Sequence, residues 1–234
     1  MPPPGTLAAA SVHVFTALGA VCGLMAALSA FESDFQRMFV WLGVALLIDA
    51  IDGTFARMVR VTERLPRFSG ERLDLVIDYV TYVFVPALAL LQAGYLSGLS
   101  GQFLAAMILI SSLYHFSDIG SKGEDYSFVG FPAIWNVVAL YVFALALPQW
   151  LTYALISACV VLTFIPMRWG HPMRVKQLRR TTIAVTIAWS IAAVAAVWEG
   201  FPAPFWSQAI LLAALIYTVG LTIILTLRSR SLHA

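Results

Sequence analysis

Charged residues are scarce in this chain. Asp, Glu, Lys and Arg together make up 11% of its 234 residues, whereas a soluble domain carries about 25%. Hydrophobic residues make up 61% of the chain, and apolar stretches recur along its whole length. The composition therefore predicts one integral membrane domain of the all-α class that covers residues 1–234.

Signals for several other classes of protein are missing as well. The two cysteines, Cys22 and Cys159, lie in apolar segments with no zinc or disulfide pattern around them. The sequence has no GxxxxGK(S/T) phosphate loop, no GxGxxG and no basic surface with interleaved aromatic residues, so we expect no nucleic-acid partner. Residues 1–10 contain neither Lys nor Arg, unlike the start of a secretory signal peptide.

Eight apolar stretches are long enough to form membrane-spanning helices, which take roughly 17 to 25 residues. The division between the fifth and the sixth rests only on the turn residues Pro148, Gln149 and Trp150, so seven or nine spans are alternatives. The predicted helices of this polytopic bundle lie near residues 8–31, 38–59, 72–96, 102–118, 131–147, 150–168, 181–199 and 205–227.

The basic residues are distributed unevenly over the loops of this eight-helix arrangement. If the N-terminus is cytosolic, every Lys and Arg except Arg37 falls on a cytosolic loop or chain end. Positively charged residues near helix ends are retained in the cytosol. We therefore expect both termini on the cytosolic side.

Four aspartates lie within or beside the second and third predicted helices. An ionised Asp in a membrane span costs about 2.5 to 3.5 kcal/mol, so such a residue is by default a candidate for function. Asp49 and Asp52 are spaced i, i+3, and Asp74 and Asp78 are spaced i, i+4, so each pair shares one face of its helix. Two facing helices would thus bring four carboxylates together.

Four neighbouring carboxylates need a compensating charge, because like charges repel. Oxygen ligands without nearby Cys or His favour Mg²⁺ or Mn²⁺, and two such ions commonly serve phosphoryl chemistry. The alternative is that some aspartates cap helix ends or pair with Arg57 and Arg72. Gly53 and Gly70 either let a ligand approach the backbone or serve tight helix packing, and Arg57 pairs with a phosphate or with an Asp.

The pattern of these residues resembles the signature of the CDP-alcohol phosphatidyltransferase family. It reads Asp49-x-x-Asp52-Gly53-x-x-Ala56-Arg57, followed by Gly70-x-x-x-Asp74-x-x-x-Asp78. The gap at residues 58–69 is longer than is usual in that family and resembles the gap of bacterial phosphatidylcholine synthases. A second stretch, from Asp118 through Lys122 and Gly130 to Asn136, is similar to the same branch.

The resemblance implies transfer of a phosphatidyl group from CDP-diacylglycerol to choline, by a six-helix family core in a bacterial inner membrane with a cytosolic active site. It also implies membrane lipid as the surroundings, and a homodimer. The implied general base is Asp78, and Lys122 is a candidate for contact with the donor phosphate. The implied ligands of two Mn²⁺ or Mg²⁺ ions are Asp49, Asp52, Asp74 and Asp78, and the implied nucleotide pocket is lined by Gly53, Ala56, Arg57 and Gly70.

Choline carries a permanent charge that cannot donate a hydrogen bond, so its site is expected to consist of aromatic faces with a carboxylate. Aromatic residues also accumulate at membrane interfaces in general, which is the alternative explanation for them. The candidates for this site are Tyr79, Tyr82, Glu124, Asp125, Tyr126, Trp135 and Asn136.

Two other functions are compatible with the sequence. An enzyme of the same class with serine, glycerol phosphate or inositol as acceptor would need hydrogen-bond donors and basic residues in place of aromatic faces. An ion-coupled transporter would also carry aspartates within its spans. The clustering of the carboxylates at one membrane face and the lack of an inverted repeat argue against transport.

Overall fold

The computed structural model describes residues 5–121, 127–170 and 178–231. Within these ranges the chain forms nine α-helices and one pair of short strands, which confirms the predicted all-α fold of a polytopic bundle. The helices are α1 Thr6–Phe31, α2 Phe35–Val59, α3 Val61–Arg64, α4 Gly70–Gln92, α5 Gly98–Ser117, α6 Trp135–Ala144, α7 Gln149–Thr163, α8 Arg179–Glu199 and α9 Phe205–Ser231. A 3₁₀ turn covers Ile119–Ser121, and the strands are β1 Ser127–Val129 and β2 Arg168–Gly170.

Six of these helices, α1, α2, α4, α5, α8 and α9, are long and apolar enough to cross a membrane. By contrast, α6 and α7 have 10 and 15 residues, or about 15 and 22 Å, which is less than the roughly 30 Å of a hydrocarbon core. The helices predicted at 131–147 and 150–168 are thus shorter than expected. The number of eight spans stays a prediction.

The hairpin of α6 and α7 nevertheless connects the two ends of the bundle. We call the end where α2 ends and α4 begins the site end; there, β1 and β2 pair antiparallel with Phe128 opposite Trp169. At the opposite end, the Tyr153 hydroxyl donates to the Ser97 carbonyl at 2.9 Å and the Ala203 N–H donates to Ala144 O at 2.9 Å. Residues 130–134 lead into α6 in a non-helical conformation, and they add the length by which α6 alone is too short to join the two ends.

A side chain of the preceding loop caps the start of α4. The Ser69 hydroxyl accepts a hydrogen bond from the Arg72 N–H at 3.2 Å, which satisfies one of the four free N–H groups of a helix start. The helix therefore begins at Gly70, two residues before the predicted boundary. As a result, Gly70 lies in its first turn.

A π-helical turn interrupts α4 directly after Asp78. It covers Tyr79–Phe84, and the Val85 N–H donates to the carbonyl of Val80, five residues earlier. Pro86 follows this turn, and a proline ring clashes with the carbonyl four residues before it in a regular α-helix. The wider turn relieves that clash, and π turns of this kind are frequent at functional sites.

The apolar core forms around α6, in which every residue from Val138 to Ala144 is buried. At the opposite end from the site, the ring of Phe143 packs against those of Phe35, Tyr95 and Phe201, with centroids 4.8 to 5.4 Å apart. Aromatic contacts of this kind add to the stabilisation from burial. These contacts join α2, α6, the loop that follows α4 and the loop before α9.

Candidate active site

Carboxylates of two helices meet in the half of the bundle nearer the site end. Asp49 lies on α2, and Asp74 and Asp78 lie about one turn apart on α4. Each of the three has a carboxylate oxygen within 4.8 Å of the corresponding oxygens of the other two, and all three side chains are partly buried. Oxygen donors at this spacing suit a hard divalent cation. The group could therefore hold a metal ion.

Asp52, the fourth predicted ligand, does not join this group of oxygens in the part of the chain that the structure describes. It is only 7% exposed and lies beside the hydroxyl of Thr16 on α1. Asp52 is displaced by about 4.5 Å along the α2 axis from Asp49, because each residue advances a helix by 1.5 Å. The structure thus places three predicted ligands together and turns the fourth towards α1.

The direction of the Asp49 carboxylate is set by a tyrosine. The Tyr82 hydroxyl donates a hydrogen bond of 2.7 Å to Asp49 Oδ2. Tyr82 lies four residues after Asp78 in the π turn. The helix α4 therefore contributes two of the three carboxylates, Asp74 and Asp78, and also the hydroxyl that orients Asp49. Hydrogen bonds to a ligating carboxylate commonly orient it for its metal.

The residues predicted to line a nucleotide pocket surround the junction between α2 and α4. Arg57 is exposed, and its guanidinium donates to the Thr54 hydroxyl at 3.1 Å. A Cβ on Gly53 would lie 3.5 Å from the same guanidinium, and Ala56 packs against the small apolar cluster of Ala9, Val12 and Val61. Gly70 begins α4 on the other side of this junction.

Residues of α1 form a further wall beside these positions, which the sequence analysis missed. A Cβ on Gly70 would lie 3.3 Å from Cε1 of His13, and Thr16, three residues further along α1, contacts Asp52. The Nε2 atom of His13 is buried and has no hydrogen-bond partner in the described structure. Two polar side chains spaced i, i+3 in an apolar helix were the available signal.

Comparison with known proteins identifies the family. No family model matches the chain. It is 47% identical to a phosphatidylcholine synthase of Bradyrhizobium diazoefficiens over 191 residues. This alignment covers 81% of this chain and 72% of that protein. It is 40% identical over 221 residues to a phosphatidylcholine synthase of Rhizobium johnstonii, which covers 93% and 91%, and 43% identical over 192 residues to one of Pseudomonas aeruginosa, which covers 82% and 81%. The chain belongs to the phosphatidylcholine synthase family.

Membership of the phosphatidylcholine synthase family confirms the resemblance that the motif positions indicated. The similarity is not confined to the motif, because it covers up to 93% of this chain. Family membership and the six long apolar helices together indicate a multi-pass membrane enzyme.

The structure separates the residues that the sequence predicted for choline. Tyr79 donates its hydroxyl to Leu109 O at 3.2 Å, and Tyr82 is bonded to Asp49. Trp135 is fully buried, and its indole N–H donates to the Ser112 hydroxyl at 2.8 Å. Its ring is packed in the core, and its role as a choline contact stays a prediction. Lys122, Glu124, Asp125 and Tyr126 lie outside the described residues.

Asn136 lies in a lateral groove between α2, α6 and α8. The groove has a volume of about 410 Å³, and its walls are mostly apolar, with Leu47, Leu140 and Trp189 among them. The Asn136 side-chain oxygen accepts from the backbone N–H of Val137 at 2.9 Å. Asn136 thus lines this groove and lies apart from the core position of Trp135, although the two are neighbours in sequence.

Proposed function

We propose that this chain transfers the phosphatidyl group of CDP-diacylglycerol to choline and releases CMP, with phosphatidylcholine as the product. The choice of product is supported by relatives at 40 to 47% identity that are named phosphatidylcholine synthases. The choice of chemistry is supported by the convergence of Asp49, Asp74 and Asp78, because phosphoryl transfer depends mainly on positioning and on charge stabilisation.

The carboxylates are proposed to hold two divalent ions, Mn²⁺ or Mg²⁺. Binding of such ions is supported by carboxylate oxygens of Asp49, Asp74 and Asp78 that lie within 4.8 Å of one another. Oxygen donors of this kind suit either ion. When bound, such ions would neutralise charge on the pyrophosphate and on the departing CMP. Tyr82 keeps Asp49 directed towards α4, and Asp52 is the proposed fourth ligand.

Asp78 is the proposed general base for the acceptor hydroxyl. It accepts the hydroxyl proton while the choline oxygen bonds to the β-phosphorus, which carries the diacylglycerol. The bond from that phosphorus to the oxygen bridging to the α-phosphate breaks, and its electron pair leaves with CMP. No covalent enzyme intermediate is required.

The nucleotide is proposed to lie over the junction of α2 and α4. Gly53, Ala56 and Gly70 leave room for it there, and the exposed guanidinium of Arg57 offers a charged donor to a phosphate. Lys122 is proposed as a second contact with the donor phosphate.

The enzyme is proposed to lie in a bacterial inner membrane as a single catalytic domain, with the site end and both termini on the cytosolic side. The uneven distribution of Lys and Arg supports this orientation. The homodimer stays a prediction.

The reaction is tested by CMP release from CDP-diacylglycerol and Mn²⁺ with choline, serine, glycerol 3-phosphate or inositol offered separately to the purified protein. We expect CMP with choline alone. Asp78→Asn should lower the rate at least about a hundredfold, as expected for loss of a general base.

Glu63→Gln is the matched control for that substitution, because Glu63 is an exposed carboxylate of α3 at the same end of the bundle. It should leave the rate unchanged. Release of CMP with another alcohol would refute choline as the acceptor, and equal rates for Asp78→Asn and Glu63→Gln would refute the role of Asp78.

A further inference from the structure

The helix α1 runs alongside α4, and both helices begin at the site end. A Cβ on Gly70 would lie 3.3 Å from Cε1 of His13, and a Cβ on Gly23 would lie 2.9 Å from Cγ1 of Val80. The two contacts are ten residues apart on each helix, so the helices run in the same direction and in step. Positions on α1 can therefore be matched by level with positions on α4.

His13 lies about one helical turn nearer the site end than the carboxylates do. Asp74 follows Gly70 by one turn of α4, and Thr16 follows His13 by nearly one turn of α1. The Thr16 hydroxyl contacts Asp52, so Thr16 is at the level of the carboxylates. At 1.5 Å per residue, His13 is about 4.5 Å from that level along α1. A ligand that extends from the carboxylates towards the site end thus passes His13.

The imidazole of His13 has a nitrogen without a partner. Its Nε2 is buried and has no hydrogen-bond partner among the residues that the structure describes, although the ring as a whole is partly exposed. Buried polar atoms nearly always have a partner, so one that lacks it calls for an explanation. A ligand atom that arrives with the substrate is such an explanation.

The position of Gly70 gives this nitrogen room to meet a ligand. No hydrogen bond to Nε2 resists a half-turn of the ring about the Cβ–Cγ bond, and that half-turn exchanges Nε2 with Cε1. Nε2 then faces the space that Gly70 leaves where any other residue would have a Cβ. The imidazole and the start of α4 thereby form two sides of one contact point.

A ribose hydroxyl matches this contact point in chemistry and in level. An imidazole nitrogen is a donor or an acceptor according to its tautomer, whereas a hydroxyl is both and bonds either form. In the proposed arrangement the phosphates of the donor lie at the carboxylates. The ribose comes next along the donor, so it is the first part of the nucleoside to reach the level of His13.

We propose that His13 binds the donor through a hydrogen bond between Nε2 and a ribose hydroxyl of CDP-diacylglycerol. The proposal rests on the proposed function, and it adds a contact from α1 to the nucleotide residues of α2 and α4. It makes His13 a determinant of specificity for donors that carry both ribose hydroxyls.

Steady-state kinetics of the purified full-length protein in detergent test the proposal on three donors, namely CDP-diacylglycerol and its 2′-deoxy and 3′-deoxy analogues. His13→Phe keeps a ring and removes both nitrogens. It should raise KM for CDP-diacylglycerol about five- to tenfold, as expected for loss of one hydrogen bond. It should leave KM unchanged for the one analogue that already lacks the bonded hydroxyl. KM for choline should stay within about twofold.

Two further variants serve as controls. His13→Gln keeps hydrogen-bonding groups on a side chain of similar reach and should recover most of the wild-type KM for CDP-diacylglycerol. Ser11→Ala removes another polar group of α1, an exposed hydroxyl that donates to Ala8 O at 2.9 Å. It should behave as the wild type does with all three donors.

A binding measurement that does not depend on turnover uses CMP, the proposed product. In the presence of Mn²⁺, CMP should raise the Tm of the wild type and of Ser11→Ala, because a ligand of the folded state stabilises it. The same concentration of CMP should raise the Tm of His13→Phe by less. An equal rise in all three proteins would refute the contact.

The outcomes separate the two proposals. A wild type that releases CMP with choline, together with a His13→Phe variant whose KM rises equally for all three donors, refutes the ribose contact and leaves the proposed function intact. An unchanged KM for CDP-diacylglycerol in His13→Phe does the same. A wild type that is silent with choline refutes the proposed function itself, and the Tm with CMP then decides whether His13 contacts the nucleotide.

Discussion

At the scale of single residues, the site depends on the hydrogen bond that Tyr82 donates to Asp49. The bond is 2.7 Å long and lies in a partly buried region, where bulk water does not readily replace a lost partner. Without it, Asp49 would be free to rotate away from Asp74 and Asp78. The tyrosine thus orients one carboxylate of the group that could hold a metal ion.

Substitution of Tyr82 by Phe tests this role. Tyr82→Phe keeps the ring and removes the hydroxyl, so the Mn²⁺ concentration that gives half-maximal CMP release should rise about ten- to a hundredfold, as for other groups that orient metal ligands. Tyr79→Phe is the control, because the Tyr79 hydroxyl bonds a backbone carbonyl of α5. Equal Mn²⁺ midpoints in the two variants would contradict the prediction.

Helical spacing was sufficient to predict which carboxylates come together on α4, because residues four apart share a face in any regular helix. It did not predict the separation of Asp52, which depends on how α1 lies against α2. The burial of Trp135 was not predictable for a related reason: aromatic residues are also typical of membrane interfaces, and only the packing of Phe131 and Ser112 around it shows that it is buried.

At the scale of secondary-structure elements, α1 is held against the part of α4 that carries the site. A Cβ on Gly19 would lie 2.7 Å from Cγ2 of Ile77, and a Cβ on Gly23 would lie 2.9 Å from Cγ1 of Val80. The two glycines are four residues apart, a spacing that lets helix backbones approach closely in membranes. α1 therefore supports the α4 turns on either side of Asp78.

Gly19→Ala should loosen this contact. The added methyl group overlaps a branched side chain at its Cβ branch, so we expect a loss of about 1 to 3 kcal/mol of stability, measured as a lower Tm of the detergent-purified protein. The double variant Gly19→Ala with Ile77→Ala should recover part of the loss. Gly43→Ala is the control, because nothing lies within 4 Å of its added Cβ, and a fall in Tm as large as that of Gly19→Ala would contradict the packing argument.

The six long helices were predictable from length and apolarity alone. The extents of α6 and α7 were not, because an apolar run has the same composition whether it is helical or non-helical. Residues 130–134 leave the helical conformation where the bonds from Gly130 to Met167 and from Phe131 to Leu162 satisfy their backbone groups. Such backbone is tolerated at membrane depth only where protein surrounds it, and Phe131 and Ala133 are indeed buried.

At the scale of the whole molecule, the distribution of charge predicts how the bundle lies in the membrane. The basic residues that the structure describes flank the site end, except Arg37, which lies at the opposite end and pairs with Glu32 and Asp34 of the preceding loop. The hairpin of α6 and α7 starts and finishes at the site end. The predicted orientation is therefore the same whether or not these two helices count as spans.

Labelling of single cysteines checks this orientation in bacterial spheroplasts. A membrane-impermeant maleimide added outside should modify Leu99→Cys, at the exposed start of α5, and should modify Glu63→Cys only after permeabilisation. The native Cys22 and Cys159 are buried, so they should contribute little background. The reverse labelling pattern would contradict a cytosolic site.

The π turn of α4 divides this helix into a reactive part and an anchoring part. Asp74 and Asp78 lie before it, and the apolar residues from Val85 to Leu91 lie after it. Bilayers of different thickness demand different hydrophobic lengths from the helices that cross them. Insertion or deletion of residues after the π turn would change the hydrophobic length of α4 without moving Asp74 and Asp78 relative to Asp49. The helix can thus be matched to its lipid at one end while the geometry of the reaction is kept at the other.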